Sequence, residues 1–273
     1  MSKHPQPITA PRAAAYRAVR EATLALVAPL SAEDCAIQSM PDASPAKWHL
    51  AHTTWFFETF VLVPQVAGYR VFDPAYAYLF NSYYNTIGER HPRPERGMLS
   101  RPSLDEILAY RCHVDDAILG LAQGNALIEL GLQHEQQHQE LILTDLKHLL
   151  SRNPVKPLYR KQWPLTAIRP RARTWIGFAG GLHQIGHDGS GFAFDNEGPR
   201  HRVWLEDFEL ASHPVTHGDF LDFIEDGGYR RPELWLSAGW DWVQRCGWQA
   251  PLYWERRDSE WRTFTLHGDA PVD

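Results

Sequence analysis

The chain has 273 residues, of which 44% are hydrophobic and 22% charged, a composition typical of a globular protein large enough for two domains. A net charge of −6, with no basic run interleaved with aromatic residues, argues against nucleic acid as a partner. The longest apolar run near the N-terminus, residues 24–30, is too short to span a bilayer and does not resemble a signal peptide. Three widely spaced cysteines, without a Cys-x-x-Cys pair, fit a reducing compartment. We therefore expect a soluble cytoplasmic protein with no membrane partner, whose cysteines serve only in packing.

Residues 1–152 are predicted to form a four-helix bundle. The start signals are, in chain order, Thr9-Ala-Pro11, Ser44-Pro45, the capping box Ser103-Leu-Asp-Glu106, and an apolar repeat from Ala126 to Leu150. Ser44 is the expected N-cap of the second helix, with Pro45 as its first residue. The third helix should end before Gly124. A longer connection through residues 64–102 leaves a bundle whose interior can hold a site built from facing helices.

The pattern changes after residue 152. Prolines and basic residues dominate residues 153–173, which predicts an exposed linker. Residues 174–273 contain short strand-like segments separated by glycine-rich turns, and they hold most of the eleven tryptophans. We expect an irregular domain with little helix, held together by aromatic packing. The predicted fold class is therefore α+β.

Three histidines are candidate metal ligands. His134 and His138 stand four residues apart on the fourth helix, so their rings share one face, and the polar residues around them are costly inside a bundle unless something binds there. His52 lies on the second helix in an aromatic stripe with Trp48 and Trp55. Three neutral imidazoles suit zinc, iron, copper or nickel, so ligand type leaves the metal open. A core histidine at 52 and a solvent-facing polar turn at 134–138 are the alternatives.

Other interpretations of these histidines carry less weight. His134-Glu-x-x-His138 also matches zinc peptidases, with Glu135 as general base, but Leu141 and Thr144 replace the glycine and third histidine of the extended pattern. His148 is about 15 Å from His138 along the helix axis, which predicts a structural role. His49 is expected either to pack in the core or to support a metal ligand.

Several motifs together resemble one family, the ergothioneine-pathway sulfoxide synthases or hercynine oxygenases. In the first half the motifs are Trp48-His-Leu-Ala-His52-Thr-Thr-Trp-Phe, Phe80-Asn-Ser-Tyr-Tyr-Asn85, Arg96-Gly-Met-Leu-Ser-Arg-Pro102 and His134-Glu-Gln-Gln-His-Gln-Glu140. In the second half they are Phe194-Asp-Asn-Glu-Gly-Pro199, Pro214-Val-Thr216 and Asp226-Gly-Gly-Tyr229. The first half is similar to DinB-like bundles. The second resembles the opening of a formylglycine-generating-enzyme-like (sulfatase-modifying-factor) domain, which is C-type-lectin-like.

The resemblance implies a mononuclear non-haem iron(II) held by His52, His134 and His138. It also implies that O2, hercynine (Nα-trimethylhistidine) and the thiol of cysteine or γ-glutamylcysteine react there to form a carbon–sulfur bond and a sulfoxide in ergothioneine biosynthesis. By the same resemblance, Gln137 orients the hercynine imidazole. Arginine suits a carboxylate-bearing sulfur donor, and Arg90, Arg93 and Arg96 are the candidates, with Arg90 favoured and a solvated loop charge as the alternative for each.

The resemblance also bears on the end of the chain. Residue 273 falls before the region in which the family carries a catalytic tyrosine, so the catalytic residue is expected outside this chain. We therefore expect iron(II) binding but poor turnover without a second polypeptide. Relatives that make selenoneine or ovothiol-type products, a DinB-like metal-dependent thiol transferase using zinc, and a non-catalytic scaffold are the alternative functions.

Overall fold

The computed structural model describes residues 10–82, 88–121, 126–161 and 172–272. The chain divides into two compact units, a helical unit of residues 1–160 and a C-terminal unit of residues 161–273. Part of the predicted linker, residues 162–171, lies outside the described residues. Its beginning belongs to the helical unit, because Tyr159 is buried and its hydroxyl donates to the Leu26 carbonyl at 2.5 Å. Residues 153–160 therefore belong to the helical unit.

The helical unit contains the four long helices that the sequence predicts, together with two short ones. They are α1 (Ala10–Val27), α2 (Ala46–Phe57), α3 (Val63–Gln65), α4 (Tyr76–Leu79), α5 (Leu104–Leu119) and α6 (Ala126–Arg152). A π-helical segment, Glu58–Leu62, joins α2 to α3. The predicted end of the third helix near Gly124 falls on residues outside the described ranges. No helix in the described part of the chain is both long and apolar enough to cross a membrane.

The helix starts agree with the sequence at α5 and differ at α2. At α5, Ser103 and Glu106 form the expected capping box. The prediction of Ser44 as N-cap of α2 was wrong by one residue, because Pro45 occupies the cap position and Ser44 is held by tertiary contacts. The Ser44 amide donates to Asp145 at 2.8 Å, and its hydroxyl accepts from Arg96 at 2.9 Å.

Helix α2 is the centre of the helical unit. All twelve of its residues are buried, because it contacts both α5 and α6. Its aromatic side chains form the core with residues of the neighbouring helices, and Phe57 packs edge-on against Tyr16 at 5.1 Å between ring centroids. Full burial of such a side chain contributes about 1.5–3 kcal/mol.

A buried ionic network fixes the register of four helices. The Glu135 carboxylate of α6 accepts from Arg20 of α1 at 2.8 Å and from Arg111 of α5 at 3.0 Å. Arg20 also donates to Asp115 at 2.7 Å and to Thr54 of α2 at 3.0 Å. Because each charge is paired where water is excluded, removing any one partner would leave the others uncompensated.

Gly131 sets the closest approach between α2 and α6. A Cβ atom at this position would lie 2.5 Å from Cε1 of Phe57 and 3.0 Å from Cε1 of Phe56. Only glycine allows this contact, and it lies one helical turn before His134. The close approach therefore brings the histidines of α6 next to His52 of α2.

The C-terminal unit is built from small antiparallel sheets and short helices. Strands β1 (Trp175–Phe178) and β4 (Phe208–Ala211) pair with Trp175 opposite Ala211, and β2 (Gly181–Ile185) and β3 (His201–Leu205) pair with Leu182 opposite Trp204. Two helices follow, α7 (His217–Glu225) and α8 (Ser237–Cys246). The last three strands, β5 (Trp254–Arg257), β6 (Glu260–Thr265) and β7 (Gly268–Pro271), form a third sheet in the order β5-β6-β7.

The prediction of little helix in this unit missed α7 and α8. The start of α7 was readable, because Thr216 and Asp219 form a capping box. Aromatic packing is present as expected: the Trp235 indole donates to the Gly228 carbonyl at 2.8 Å and its ring contacts Tyr229. The combination of a helical unit with a sheet-containing unit confirms the α+β class.

The cysteines differ from the prediction that all three serve in packing. Cys35 is buried in the core of the helical unit, whereas Cys112 and Cys246 are exposed. All three are free thiols. Only Cys35 contributes to a core, because the other two lie on solvent-facing sides of their helices.

Candidate metal centre

The structure brings His52, His134 and His138 together. Each offers one ring nitrogen, and these three atoms all lie within 4.8 Å of one another. The ring centroids of His134 and His138 are 4.6 Å apart, and that of His52 is 5.0 and 4.8 Å from them. His52 and His138 are buried, and His134 is half-buried. Two helices thus supply three nitrogens that can converge on one ion.

The hydrogen bonds indicate which nitrogens face the site. The Nδ1 atom of His52 lies 2.6 Å from the Phe80 carbonyl, which only accepts, so Nδ1 carries the proton and Nε2 keeps its lone pair. The Nε2 atoms of His134 and His138 face each other at 3.1 Å. His134 Nδ1 is buried and has no hydrogen-bond partner among the described residues. The Nε2 atoms therefore form the donor set.

Aromatic stacking holds the His52 ring in place. Trp48 stacks on His52 with centroids 4.6 Å apart and an interplanar angle of 12°, and Trp55 stacks on it at 5.5 Å and 16°. The Arg96 guanidinium lies 3.4 Å from the centroid of the Trp48 ring. This stack restricts rotation of the imidazole, so the orientation of its Nε2 is fixed before any ligand binds.

All three imidazoles are neutral at physiological pH. Burial lowers the pKa of His134 to about 4 and lowers the pKa values of His52 and His138 well below the usual range, with the neighbouring histidines adding to the effect for the latter two. A neutral imidazole is the form that ligates metals. The chemistry of the donor set therefore fits a divalent transition metal.

A cavity of about 590 Å³ opens next to the histidines. Trp48 and Leu141 supply part of an apolar wall, and Gln137, Arg93 and Arg96 supply polar groups. A few polar groups in a concave and partly apolar wall are typical of small-molecule sites. Gln137 is exposed on α6 next to His138, and it lines the cavity that the metal ligands border.

The candidate arginines differ in their positions. Arg90 is exposed, donates to the Ser82 carbonyl at 2.5 Å, and lies outside the set of residues that line the cavity. Arg93 lines the cavity, is exposed, and donates to the Asp42 carbonyl. Arg96 is only 5% exposed and is held by its hydrogen bond to Ser44. The spacing of the three candidate arginines gives no signal that Arg96 is the buried one.

Glu135 takes no part in the cavity. Both of its carboxylate oxygens accept from buried guanidinium groups, those of Arg20 and Arg111. Burial alone would raise the pKa of Glu135, but attraction to these two cations outweighs burial and lowers the pKa to about 2. Such a carboxylate cannot accept a proton as a general base near neutral pH. The geometry therefore argues against the zinc-peptidase interpretation.

Two other histidines on the same helices, His49 of α2 and His148 of α6, have different surroundings. His49 contacts a candidate ligand, since its Nδ1 lies 2.8 Å from Nδ1 of His138, and its Nε2 lies 3.0 Å from Asp145. His148 bonds to the Ser39 hydroxyl at 2.7 Å and is not among the residues that line the cavity. Of the two, only His49 can influence the candidate metal centre directly.

Comparison with known proteins matches both halves of the chain to described families. The family model of the DinB superfamily matches residues 15–142, which include all three histidines. The model described as the sulfatase-modifying factor enzyme 1-like domain matches residues 164–272. The two matches correspond to the helical and C-terminal units.

Two curated relatives align with most of the chain, and a third aligns with about half of it. A hercynine oxygenase of Mycobacterium tuberculosis is 33% identical over 93% of this chain, and one of Mycolicibacterium thermoresistibile is 32% identical over 85%. A hercynine oxygenase of Mycolicibacterium smegmatis is 36% identical over 52% of the chain. The aligned regions span 60%, 52% and 34% of these relatives' own lengths, respectively. From its two domains, their order and these identities, the chain belongs to the hercynine oxygenase family.

Proposed function

We propose that this chain binds one iron(II) ion through His52, His134 and His138 and serves in oxidative carbon–sulfur bond formation. The substrates would be hercynine and the thiol of cysteine or γ-glutamylcysteine, and the product a sulfoxide in ergothioneine biosynthesis. The observation that carries this proposal is the convergence of three neutral imidazoles beside a cavity of about 590 Å³. The names of the relatives support the choice of substrate and oxidant.

The proposed reaction balances without an external reductant. A C–H bond of the imidazole and the S–H bond of the thiol are lost, one C–S bond forms, and sulfur gains one oxygen atom. The four electrons released by these two oxidations reduce one O2, which supplies the sulfoxide oxygen and one water. Only hercynine, a thiol and dioxygen are therefore required.

Oxygenase chemistry is the reason for proposing iron, because the donor set itself accepts several divalent metals. Three neutral ligands leave a divalent ion its full charge, and a set of three leaves coordination positions open. When bound, iron(II) would supply redox chemistry that zinc lacks, together with open positions for small molecules. The protein contributes by holding the ligands rigidly, through the stacked tryptophans on His52 and the close helix contact at Gly131.

Residues of the cavity wall would bind and orient the substrates. Gln137 is proposed to hydrogen-bond the hercynine imidazole, since its amide offers both a donor and an acceptor. Arg93 and Arg96 are proposed to bind carboxylates of the sulfur donor, because both line the cavity and a guanidinium can hold a carboxylate with two hydrogen bonds. Arg90 is retained as a peripheral contact, outside the cavity wall.

The test is anaerobic reconstitution with iron(II), followed by O2 uptake with hercynine and each thiol. We expect one iron per chain and O2 uptake that requires both substrates. His138→Ala should lose iron, whereas His148→Ala, a histidine on the same helix but outside the cavity, should retain it. Absence of iron from the unaltered chain would refute the metal assignment. Iron binding without substrate-dependent O2 uptake would refute the oxidative step alone.

A zinc-dependent thiol transferase is the second candidate, because the DinB superfamily match covers the histidines. This function predicts preferential retention of zinc and consumption of the thiol without O2. Metal competition between zinc and iron(II), with thiol loss followed under nitrogen, separates the two functions.

A further inference from the structure

A chain of hydrogen bonds connects His138 to a carboxylate. His138 Nδ1 lies 2.8 Å from His49 Nδ1, and His49 Nε2 lies 3.0 Å from Oδ2 of Asp145. The same carboxylate oxygen accepts from the Ser44 amide at 2.8 Å. His49 is 2% exposed, so this chain is shielded from water along its central member. The proposed function assigns no role to His49 or Asp145.

The carboxylate determines the direction of every proton in this chain. An ionised carboxylate only accepts, so His49 places its proton on Nε2 and directs the lone pair of Nδ1 at His138. His138 must then donate from its own Nδ1. Its proton is thereby kept off Nε2, the atom that faces His134 at 3.1 Å.

We infer that Asp145 and His49 are positioning residues that fix the tautomer and ring orientation of His138, so that its Nε2 lone pair is directed at the metal. This inference rests on the proposed function, since it assumes that the three histidines bind a metal. Outer hydrogen bonds of this kind commonly orient metal-bound histidines and raise their basicity. Here a second histidine is inserted between the ligand and the carboxylate.

The three ligands are supported unequally. His52 donates to a neutral backbone carbonyl, that of Phe80, at 2.6 Å. His134 Nδ1 has no hydrogen-bond partner in the described part of the chain. Only His138 is linked to a negative charge among the described residues, so it is the most electron-donating of the three ligands. The metal centre is therefore electronically asymmetric even though its ligands are chemically identical.

Helix geometry explains how the chain is assembled. His138 and Asp145 lie seven residues apart on α6, a spacing that puts both on one face two turns apart. His49 of α2 fits between them and bonds to both. The displaced start of α2 belongs to the same arrangement, because the Ser44 amide donates to Asp145 while its hydroxyl accepts from Arg96 and does not cap the helix.

The decisive variant is Asp145→Asn, which preserves shape and removes the charge. In Asp145→Asn the amide oxygen can still accept from both the Ser44 amide and His49 Nε2 but carries no charge, and an NH2 group turned toward His49 would face the Ser44 N–H. In either orientation the proton positions of His49 and His138 are held more weakly than by the carboxylate. We expect iron(II) affinity, measured anaerobically by chelator competition, to fall about 10- to 100-fold. Glu140→Gln is the matched control, because Glu140 lines the same cavity on the same helix and loses the same charge.

Two further measurements separate positioning from general damage. Nitrogen-15 spectra of the metal-free proteins should show the His138 proton on Nδ1 in the unaltered chain and a mixture of tautomers in Asp145→Asn. His49→Asn retains an acceptor for His138 and should bind metal more tightly than His49→Phe, which retains none. Thermal unfolding of each metal-free variant checks the fold.

The outcomes are distinct. Iron affinity of Asp145→Asn within twofold of the unaltered chain, or an equal loss in Glu140→Gln, would overturn the positioning role and leave the proposed function intact. If the unaltered chain binds no metal, both proposals fail together.

Discussion

Replacing Glu135 with glutamine is expected to destabilise the helical unit by about 3 kcal/mol at neutral pH. The pKa of this carboxyl falls from 4.5 to about 2 in the folded chain. At about 1.4 kcal/mol per pH unit, this difference corresponds to about 3 kcal/mol of stability. An independent estimate agrees, since removing one partner of a buried ion pair costs about 3–5 kcal/mol. Arg20 and Arg111 would be left buried beside a neutral amide.

The pH dependence has a definite sign. A folded pKa below the unfolded one stabilises the fold above pH 4.5, and this stabilisation is lost as the pH falls from 4.5 towards about 2. The unaltered chain should therefore lose stability across this range. Glu135→Gln lacks the titrating group and should show a flatter profile there.

The assay is urea unfolding followed by circular dichroism at 222 nm, a signal dominated by the helices of the helical unit. Glu129→Gln is the control, because this α6 carboxylate is only partly buried and accepts from Gln133 at 2.9 Å. Its change should stay within about 0.5 kcal/mol. If the free energy of unfolding of Glu135→Gln is within 1 kcal/mol of that of the unaltered chain, or if its acid profile is unchanged, the ion pairs of Glu135 do not stabilise the fold as predicted.

Three further predictions concern packing, binding and reactivity. Gly131→Ala should lower the thermal midpoint of unfolding, because the overpacking against Phe57 costs about 1–3 kcal/mol of stability. This cost exceeds the roughly 1 kcal/mol of stability gained when alanine replaces glycine in a helix. A stabilised variant would contradict the close contact. Arg96→Lys should weaken binding of the thiol substrate to the iron-loaded chain about tenfold, or about 1.4 kcal/mol. Arg90→Lys should weaken it less. Equal effects of the two variants in equilibrium binding would contradict a substrate-binding role for Arg96. Iodoacetamide should label the two exposed cysteines in the native chain but not Cys35, because burial raises the pKa of the Cys35 thiol to about 11. Mass spectrometry before and after unfolding measures the labelling. Labelling of Cys35 in the native chain would contradict its burial.

The sequence was informative wherever the signal was local. Helical periodicity and capping residues located the four long helices, and the four-residue spacing of His134 and His138 placed both rings on one face. His52 could be paired with them because its aromatic neighbours indicated a buried helix. These inferences needed only the geometry of single helices.

The sequence was less informative where long-range contacts decide the outcome. Glu135 is adjacent to a candidate ligand, yet its partners Arg20 and Arg111 are 115 and 24 residues away, so its structural role was not readable. Ser44 has a good capping side chain, but its hydroxyl accepts from Arg96 and its backbone amide donates to Asp145.

The arginines illustrate the same limit in an irregular segment. Arg90, Arg93 and Arg96 are evenly spaced, but a 3-10 turn over Arg93–Met98 brings only the last of them into a buried position. Neither periodicity nor charge pattern distinguishes the three. Arg96 is the buried one because Trp48 and the hydroxyls of two serines pack around its guanidinium, and these contacts are visible only in the structure.

In the proposed metal centre, residues from two separate helices bind one iron(II) ion. The most direct test is the iron content of His52→Ala after anaerobic reconstitution and desalting, because His52 is the one proposed ligand outside α6. We predict one iron per unaltered chain and essentially none in this variant, with its helical content unchanged. If His52→Ala retains a full equivalent of iron, His52 is not a ligand and α2 does not contribute to the metal centre.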